Sequence, residues 1–182
     1  MNYPVILADP PWAYRKHDKE LGWGRTAEAN YPTMDTPDIC KLVVPAADNC
    51  ALFLWGTWPK LPDALQVIEA WGFTYKTIAW VWTKLNKNSM GFFTGMGFYT
   101  RGNTEPCLLA VRGRMPVLAH DVQALIVSPV QEHSRKPDDQ YRKIENLYGG
   151  PYLEMFARRT RPGWDVWGNE VTSTVEILQE TV

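Results

Sequence analysis

Residues 3–12 read Tyr-Pro-Val-Ile-Leu-Ala-Asp-Pro-Pro-Trp. Val5, Ile6 and Leu7 form a short apolar run rich in β-branched residues, as expected of a strand buried on both faces. Pro10 and Pro11 cannot continue a hydrogen-bonded ladder, so Asp9 falls where the strand ends. Ligands of open α/β sheets bind beyond the carboxyl ends of the parallel strands, which makes an acid here a candidate active-site residue.

One chemistry suits an acid held between a strand end and two rigid prolines. The 6-amino group of adenine is a poor nucleophile because its lone pair is delocalised into the ring. A fixed carboxylate and a neighbouring backbone carbonyl can accept both of its N–H groups and stabilise the charge that develops as nitrogen attacks a methyl group. The prolines lack an N–H and leave carbonyls free, and Trp12 offers a flat face for stacking.

Moving outward, residues 13–30 are polar and aperiodic, which predicts a long loop. Arg15, Lys16, His17, Lys19 and Arg25 lie in it beside Tyr14 and Trp23, a composition suited to phosphates and unstacked bases. Thr36-Pro37 predicts the start of a short helix with Thr36 as its cap. Cys50 to Trp55 reads as a buried strand. Leu61 to Trp71 has helical spacing, with Leu61, Ala64, Leu65, Val67 and Ile68 apolar and Gly72 as the stop. Phe73 to Trp82 is strand-like again, and this alternation predicts a largely parallel sheet covered by helices.

Residues 86–103 form a second irregular segment, where Phe92, Phe93, Phe98, Tyr99 and Arg101 are placed to hold a substrate strand. Gly95-Met96-Gly97 is no dinucleotide fingerprint, because Thr stands at position 100 and no helix pattern follows. Strands are expected from Glu105 to Val111, Ala124 to Val127, Tyr152 to Phe156 and Trp164 to Trp167. A helix is expected from Pro137 to Leu147, with Asp138 and Asp139 at its positive end.

These segments resemble, in order, those of the adenine-specific amino-methyltransferases with an Asp-Pro-Pro-Trp motif, in the mRNA adenosine methyltransferase-like (MT-A70-like) branch. Besides residues 9–12, the similarity runs through Tyr31-Pro-Thr-Met34, Leu52-Phe-Leu-Trp55, Trp71-Gly-Phe73, Trp80-Val-Trp82 with Lys84, Ser134-Arg-Lys-Pro-Asp138, Glu154-Met-Phe-Ala-Arg158 and Gly168-Asn169. Members of the branch act on mRNA in eukaryotes and on DNA in bacteria and phages.

The resemblance implies a Rossmann-like methyltransferase fold, α/β, with a mixed, mostly parallel sheet and circularly permuted motif order. It implies S-adenosylmethionine as cofactor and transfer to the 6-amino group of adenine in DNA. The alternatives are the same reaction on RNA, or a catalytically silent nucleic-acid-binding subunit. Asp9, Pro10, Pro11 and Trp12 take the catalytic places. Asp9, Lys136, Phe156, Arg158, Asn169 and Glu170 take the cofactor places, with Lys136 reaching the cofactor's carboxylate. Trp12, Tyr14, Arg15, Lys16, Arg25, Tyr31, Lys84 and Arg101 are the expected substrate contacts. The chain departs from the mRNA enzymes at Glu170 (Gln there), Ala157 (Gly) and Arg159-Thr160-Arg161 (Pro-His-Asn), which favours a compact DNA enzyme over a partner-dependent one.

The 182 residues suit one domain, expected over 1–170 with a C-terminal extension over 171–182. With 19 basic and 20 acidic side chains, any nucleic-acid surface must be local. Nine tryptophans are a heavy load, and some are expected to line a binding surface. Cys40, Cys50 and Cys107 form no paired motif and read as reduced thiols of a cytoplasmic protein. No apolar run reaches membrane-spanning length. His17, His120 and His133 lack metal-ligand spacing, so no metal is expected. A domain this small gains recognition surface by pairing, so a homodimer is expected.

Overall fold

The computed structural model describes residues 1–14, 32–97, 99–132 and 135–179. Its elements are β1 (Tyr3–Ala8), α1 (Thr36–Cys40), β2 (Ala46–Trp55), a 3-10 turn (Trp58–Lys60), α2 (Leu61–Ala70), β3 (Thr74–Leu85), β4 (Thr104–Arg112), β5 (Leu125–Pro129), α3 (Asp139–Leu147), β6 (Tyr152–Met155) and β7 (Trp164–Trp167). The strands form one sheet in the order β5-β3-β4-β2-β1-β6-β7. Pairings β1–β2, β1–β6, β6–β7 and β3–β5 are parallel, and β4 runs antiparallel to both of its neighbours. The expected mixed, mostly parallel sheet is therefore present.

Strand β1 lies inside the sheet, and Val5, Ile6, Leu7 and Ala8 are each at most 1% exposed. Alternation sends Ile6 and Ala8 to one face, with Leu52, Leu54, Ile39 of α1 and Ala64, Val67 and Ile68 of α2. Val5 and Leu7 face the other side, with Phe53, Trp55, Trp80 and Tyr141 and Ile144 of α3. Each of these large apolar side chains contributes about 1.5–3 kcal/mol by leaving water. The chain passes from β1 to β2 on one side and returns as β6 on the other. That change of direction opens a crevice at the carboxyl end of β1, where Asp9 sits.

Local expectations shift in detail. Thr36 does not cap α1; Asp35 is its N-cap residue, and the Thr36 hydroxyl instead donates to Asp63, tying α1 to α2. The buried face of α2 is Ala64, Val67 and Ile68, whereas Leu65 is exposed. Gly72 ends this segment with φ +76°, as a C-terminal glycine stop does. Residues 171–179 lie against the domain: Val175 and Ile177 pack on the α1/α2 core, and the Val43 N–H donates to the Leu178 carbonyl at 2.8 Å. Leu178 itself is exposed. Among the described residues, no helix is long and apolar enough to cross a membrane.

Candidate active site

The residues after β1 are fastened on three sides. The Asp9 N–H approaches the Met155 carbonyl of β6 at 3.5 Å, the Met34 N–H donates to the Pro11 carbonyl at 2.8 Å, and the Trp12 indole N–H donates to the Trp55 carbonyl of β2 at 3.2 Å. The Pro10 carbonyl already accepts the Trp12 N–H at 2.9 Å, so only its second lone pair remains for a ligand. Trp12 is 5% exposed and packs in the core, so besides any contact with a base it braces the turn.

Asp9 opens into a cavity of about 290 Å³ that also takes in Trp55, Lys136, Glu154, Phe156 and Arg158. Its Oδ2 accepts from Lys136 Nζ at 2.8 Å, and the same ammonium lies 3.5 Å from Glu105 Oε2. Glu105 also accepts from Lys84, whose ammonium lies over the Trp82 ring at 4.9 Å. Four charges thus alternate in sign: Asp9, Lys136, Glu105, Lys84. Below Lys136, at 5.5 Å, is the Trp55 ring, which donates its own N–H to Gln140 of α3 at 2.7 Å.

The two carboxylates are shifted in opposite directions. Burial raises the pKa of both, but Glu105 has two ammonium partners and is held below its ordinary value. For Asp9, burial is the largest effect and outweighs Lys136 and the weaker pull of Arg158, with the Glu105 charge adding to it, so its pKa is raised. Glu154, at the end of β6, is pushed up to about 7, first by burial and then by Asp9, against the Tyr141 hydrogen bond and Arg161. The Tyr141 hydroxyl donates to both Glu154 oxygens, at 3.0 and 3.2 Å.

The cavity rim is made by the turns after β6 and β7, which pack back to back. Phe156 adopts φ +62°, a conformation costly for a non-glycine residue, and its ring meets Trp167 edge-on at 5.2 Å. Gly168 leaves the space this needs: a Cβ there would lie 2.1 Å from the Ala157 carbonyl oxygen. Arg158 on one turn pairs with Glu170 on the other at 2.7 Å.

Sequence reading therefore places Asp9, Lys136, Phe156, Arg158 and Glu170 around one cavity. Asn169 is exposed beside Glu170 and is not among the lining residues. Lys84 is a Glu105 partner rather than a lining residue. Arg101 stays on the surface of the 86–103 segment, where its guanidinium approaches the Gly97 carbonyl at 3.5 Å. Tyr14 shares a 2.6 Å hydrogen bond with Thr57 and lies under Lys60. Arg15, Lys16, Arg25, Tyr31 and Phe98 lie outside the described residues. The reading missed Glu105, Gln140 and Tyr141. The signal available was a lone acid on the otherwise apolar strand β4, since a buried charge requires partners.

The sheet thus opens a crevice at the carboxyl end of β1, lined by the carboxylate–ammonium pair of Asp9 and Lys136. The sequence pattern of the MT-A70 family matches residues 3–170. The Type II methyltransferase M.MunI of Mycoplasma sp is 35% identical over 188 residues, covering 93% of this chain and 78% of that protein. The N(6)-adenosine-methyltransferase MT-A70-like protein of Arabidopsis thaliana is 30% identical, covering 98% of this chain and 25% of its own length. The human N(6)-adenosine-methyltransferase catalytic subunit METTL3 is 28% identical, covering 93% and 28%. The chain belongs to the MT-A70 family of methyltransferases, and it spans most of the first of these relatives but about a quarter of the other two.

Proposed function

We propose that the protein transfers a methyl group from S-adenosylmethionine to the 6-amino group of adenine in DNA. The observation that carries this reading is Asp9, a recessed carboxylate fixed at the strand end and paired with Lys136 inside the cavity. The cavity residues suit the cofactor by charge and size. Asp9 and Glu154 offer carboxylates to its ammonium and sulfonium, Lys136 and Arg158 offer cations to its carboxylate, and Phe156 offers an aromatic wall. When bound, the cofactor supplies a methyl group activated by its sulfonium.

Asp9 and the second lone pair of the Pro10 carbonyl accept the amino N–H groups and orient the nitrogen lone pair. As the nitrogen gains positive charge, the Asp9 carboxylate stabilises it without reorganising. No strong base is needed, because the proton becomes acidic only after attack and leaves to solvent or to Asp9. A target inside a duplex must first be turned out of the stack, at a cost of a few kcal/mol.

DNA is favoured over RNA because the chain covers 78% of the Mycoplasma Type II enzyme but about a quarter of the mRNA-type relatives. Recognition surface for so small a catalytic unit would come from a second copy of the chain. The test is transfer of labelled methyl to single-stranded DNA, duplex DNA and RNA, with the digested nucleosides identified by mass. The expected product is 6-methyldeoxyadenosine. Label in RNA alone would move the substrate to the other branch, and cofactor binding with no transfer to any of the three would favour a silent subunit.

A further inference from the structure

Beside the cavity mouth, at the start of α3, lies a group of guanidiniums that the methyl-transfer step does not use. Arg135 Nη2 is 3.3 Å from Asp138 Oδ2, and Arg159 makes two contacts with the same carboxylate. One carboxylate thus serves two guanidiniums. Arg161, alongside, has its own acid in Glu145, and Arg158 has Glu170. Arg159 and Arg161 both lie over the Tyr141 ring, at 5.6 and 4.6 Å. Glu132 and the Arg135 and Arg159 side chains line the cavity itself.

Two further facts mark this group as short of anions. The Arg135 Nε is buried and has no hydrogen-bond partner among the described residues, which is costly for a charged donor. The Arg159 pKa is lowered, by burial and then by Arg135 and Arg161, so positive neighbours press on it. The Arg135 and Arg159 side chains are 35% and 37% exposed, whereas Lys136, which faces Asp9, is 11% exposed. A ligand held by Arg135 and Arg159 therefore lies at the rim, above the recessed Lys136, with Arg158, 39% exposed, at the border between the two places.

We propose that Arg135 and Arg159, oriented by Asp138, form a clasp for a backbone phosphate of the nucleic-acid strand beside the target base. A planar fork of N–H donors suits a phosphodiester, and two forks braced by one acid keep their direction when the strand leaves. The inference rests on the nucleic-acid reading of the site.

The test compares wild type with the Arg135→Gln, Arg159→Gln double variant. Binding of labelled oligonucleotides is measured across a range of salt concentrations, and cofactor affinity by calorimetry. Loss of one phosphate contact should lower the log–log salt slope by about 0.7 on single strands or about 0.9 on duplex. Affinity should fall about tenfold or more, as for other charged hydrogen bonds, with cofactor affinity held within twofold. Lysines at both positions should restore the slope.

An unchanged slope overturns the clasp while leaving the enzyme reading intact. Weakened cofactor binding with the slope preserved also overturns it, because the arginines then serve the cofactor's carboxylate. Wild type that binds cofactor but neither DNA nor RNA removes the nucleic-acid reading, and the clasp with it. If the double variant fails to fold, Arg135→Gln alone must lower the slope, and no change in it overturns the proposal.

Discussion

Glu154 is a carboxyl group that burial moves well away from its chemistry in water. Tyr141 faces it from α3, Asp9 from the end of β1 and Arg161 from the connection between β6 and β7, and burial outweighs the favourable contacts. Its pKa moves from an ordinary 4.5 to about 7, so between those values the folded protein holds a proton that the unfolded chain releases. Stability contributed by this group therefore falls as pH rises through that window. Glu154→Gln stays neutral and can still accept from Tyr141. Its unfolding free energy relative to wild type should climb between pH 4.5 and about 7, by at most ~1.4 kcal/mol per unit, and then level off. Denaturant melts across that range would show it, and parallel profiles for the two proteins would mean that Glu154 titrates as it does in water.

At the scale of elements, the two turns that make the rim depend on one glycine. A Cβ on Gly168 would meet the Ala157 carbonyl oxygen at 2.1 Å and its nitrogen at 2.7 Å, both backbone atoms that cannot swing aside. Gly168→Ala should cost about 1–3 kcal/mol, as other overpacked sites do, and should weaken cofactor binding by parting Arg158 from Glu170. Melting and calorimetry on the same sample would check both effects. Unaltered stability would mean that the turns are not packed back to back. The individual elements were legible from sequence because their signals are local. The apolar run of β1, Pro10-Pro11 and the Gly72 stop each act within a few residues. The reversal of β4 was legible only indirectly: residues 86–103 carry no helix pattern, and without a crossover helix a strand returns antiparallel. Its place between β2 and β3 was not, because strand order is set by packing across the sheet.

The same boundary runs through the site. Asp9, Lys136 and Phe156 could be placed because each stands at a strand or helix end that a family motif marks. Glu105 could not, since its role comes from lying between Lys84 and Lys136, an arrangement that exists only once the sheet has formed. Trp12 carried a signal for stacking beside a catalytic acid, and its packing against the core with a hydrogen bond to Trp55 is a second role that only the folded sheet reveals.

For the whole molecule, a chain with a net charge of −1 concentrates its chemistry at one crevice. The C-terminal residues fasten the far side: Thr174 donates to Asp165, Asp165 accepts from the Tyr3 hydroxyl at 2.7 Å, and Leu42 bridges Gln179. The layers thus hold β1 from both faces and leave its carboxyl end open. Under the proposed function, this arrangement presents the Asp9 carboxylate to an amino group. The most direct test is Asp9→Asn beside wild type, reading single-turnover methyl transfer and cofactor affinity together. Loss of the carboxylate should slow transfer by about 10²–10³ or more and weaken cofactor binding by a much smaller factor, because Lys136 retains Glu105 as its partner and Glu154 still lines the cavity. Transfer at the wild-type rate, or loss of cofactor binding in step with activity, would contradict a catalytic role for Asp9.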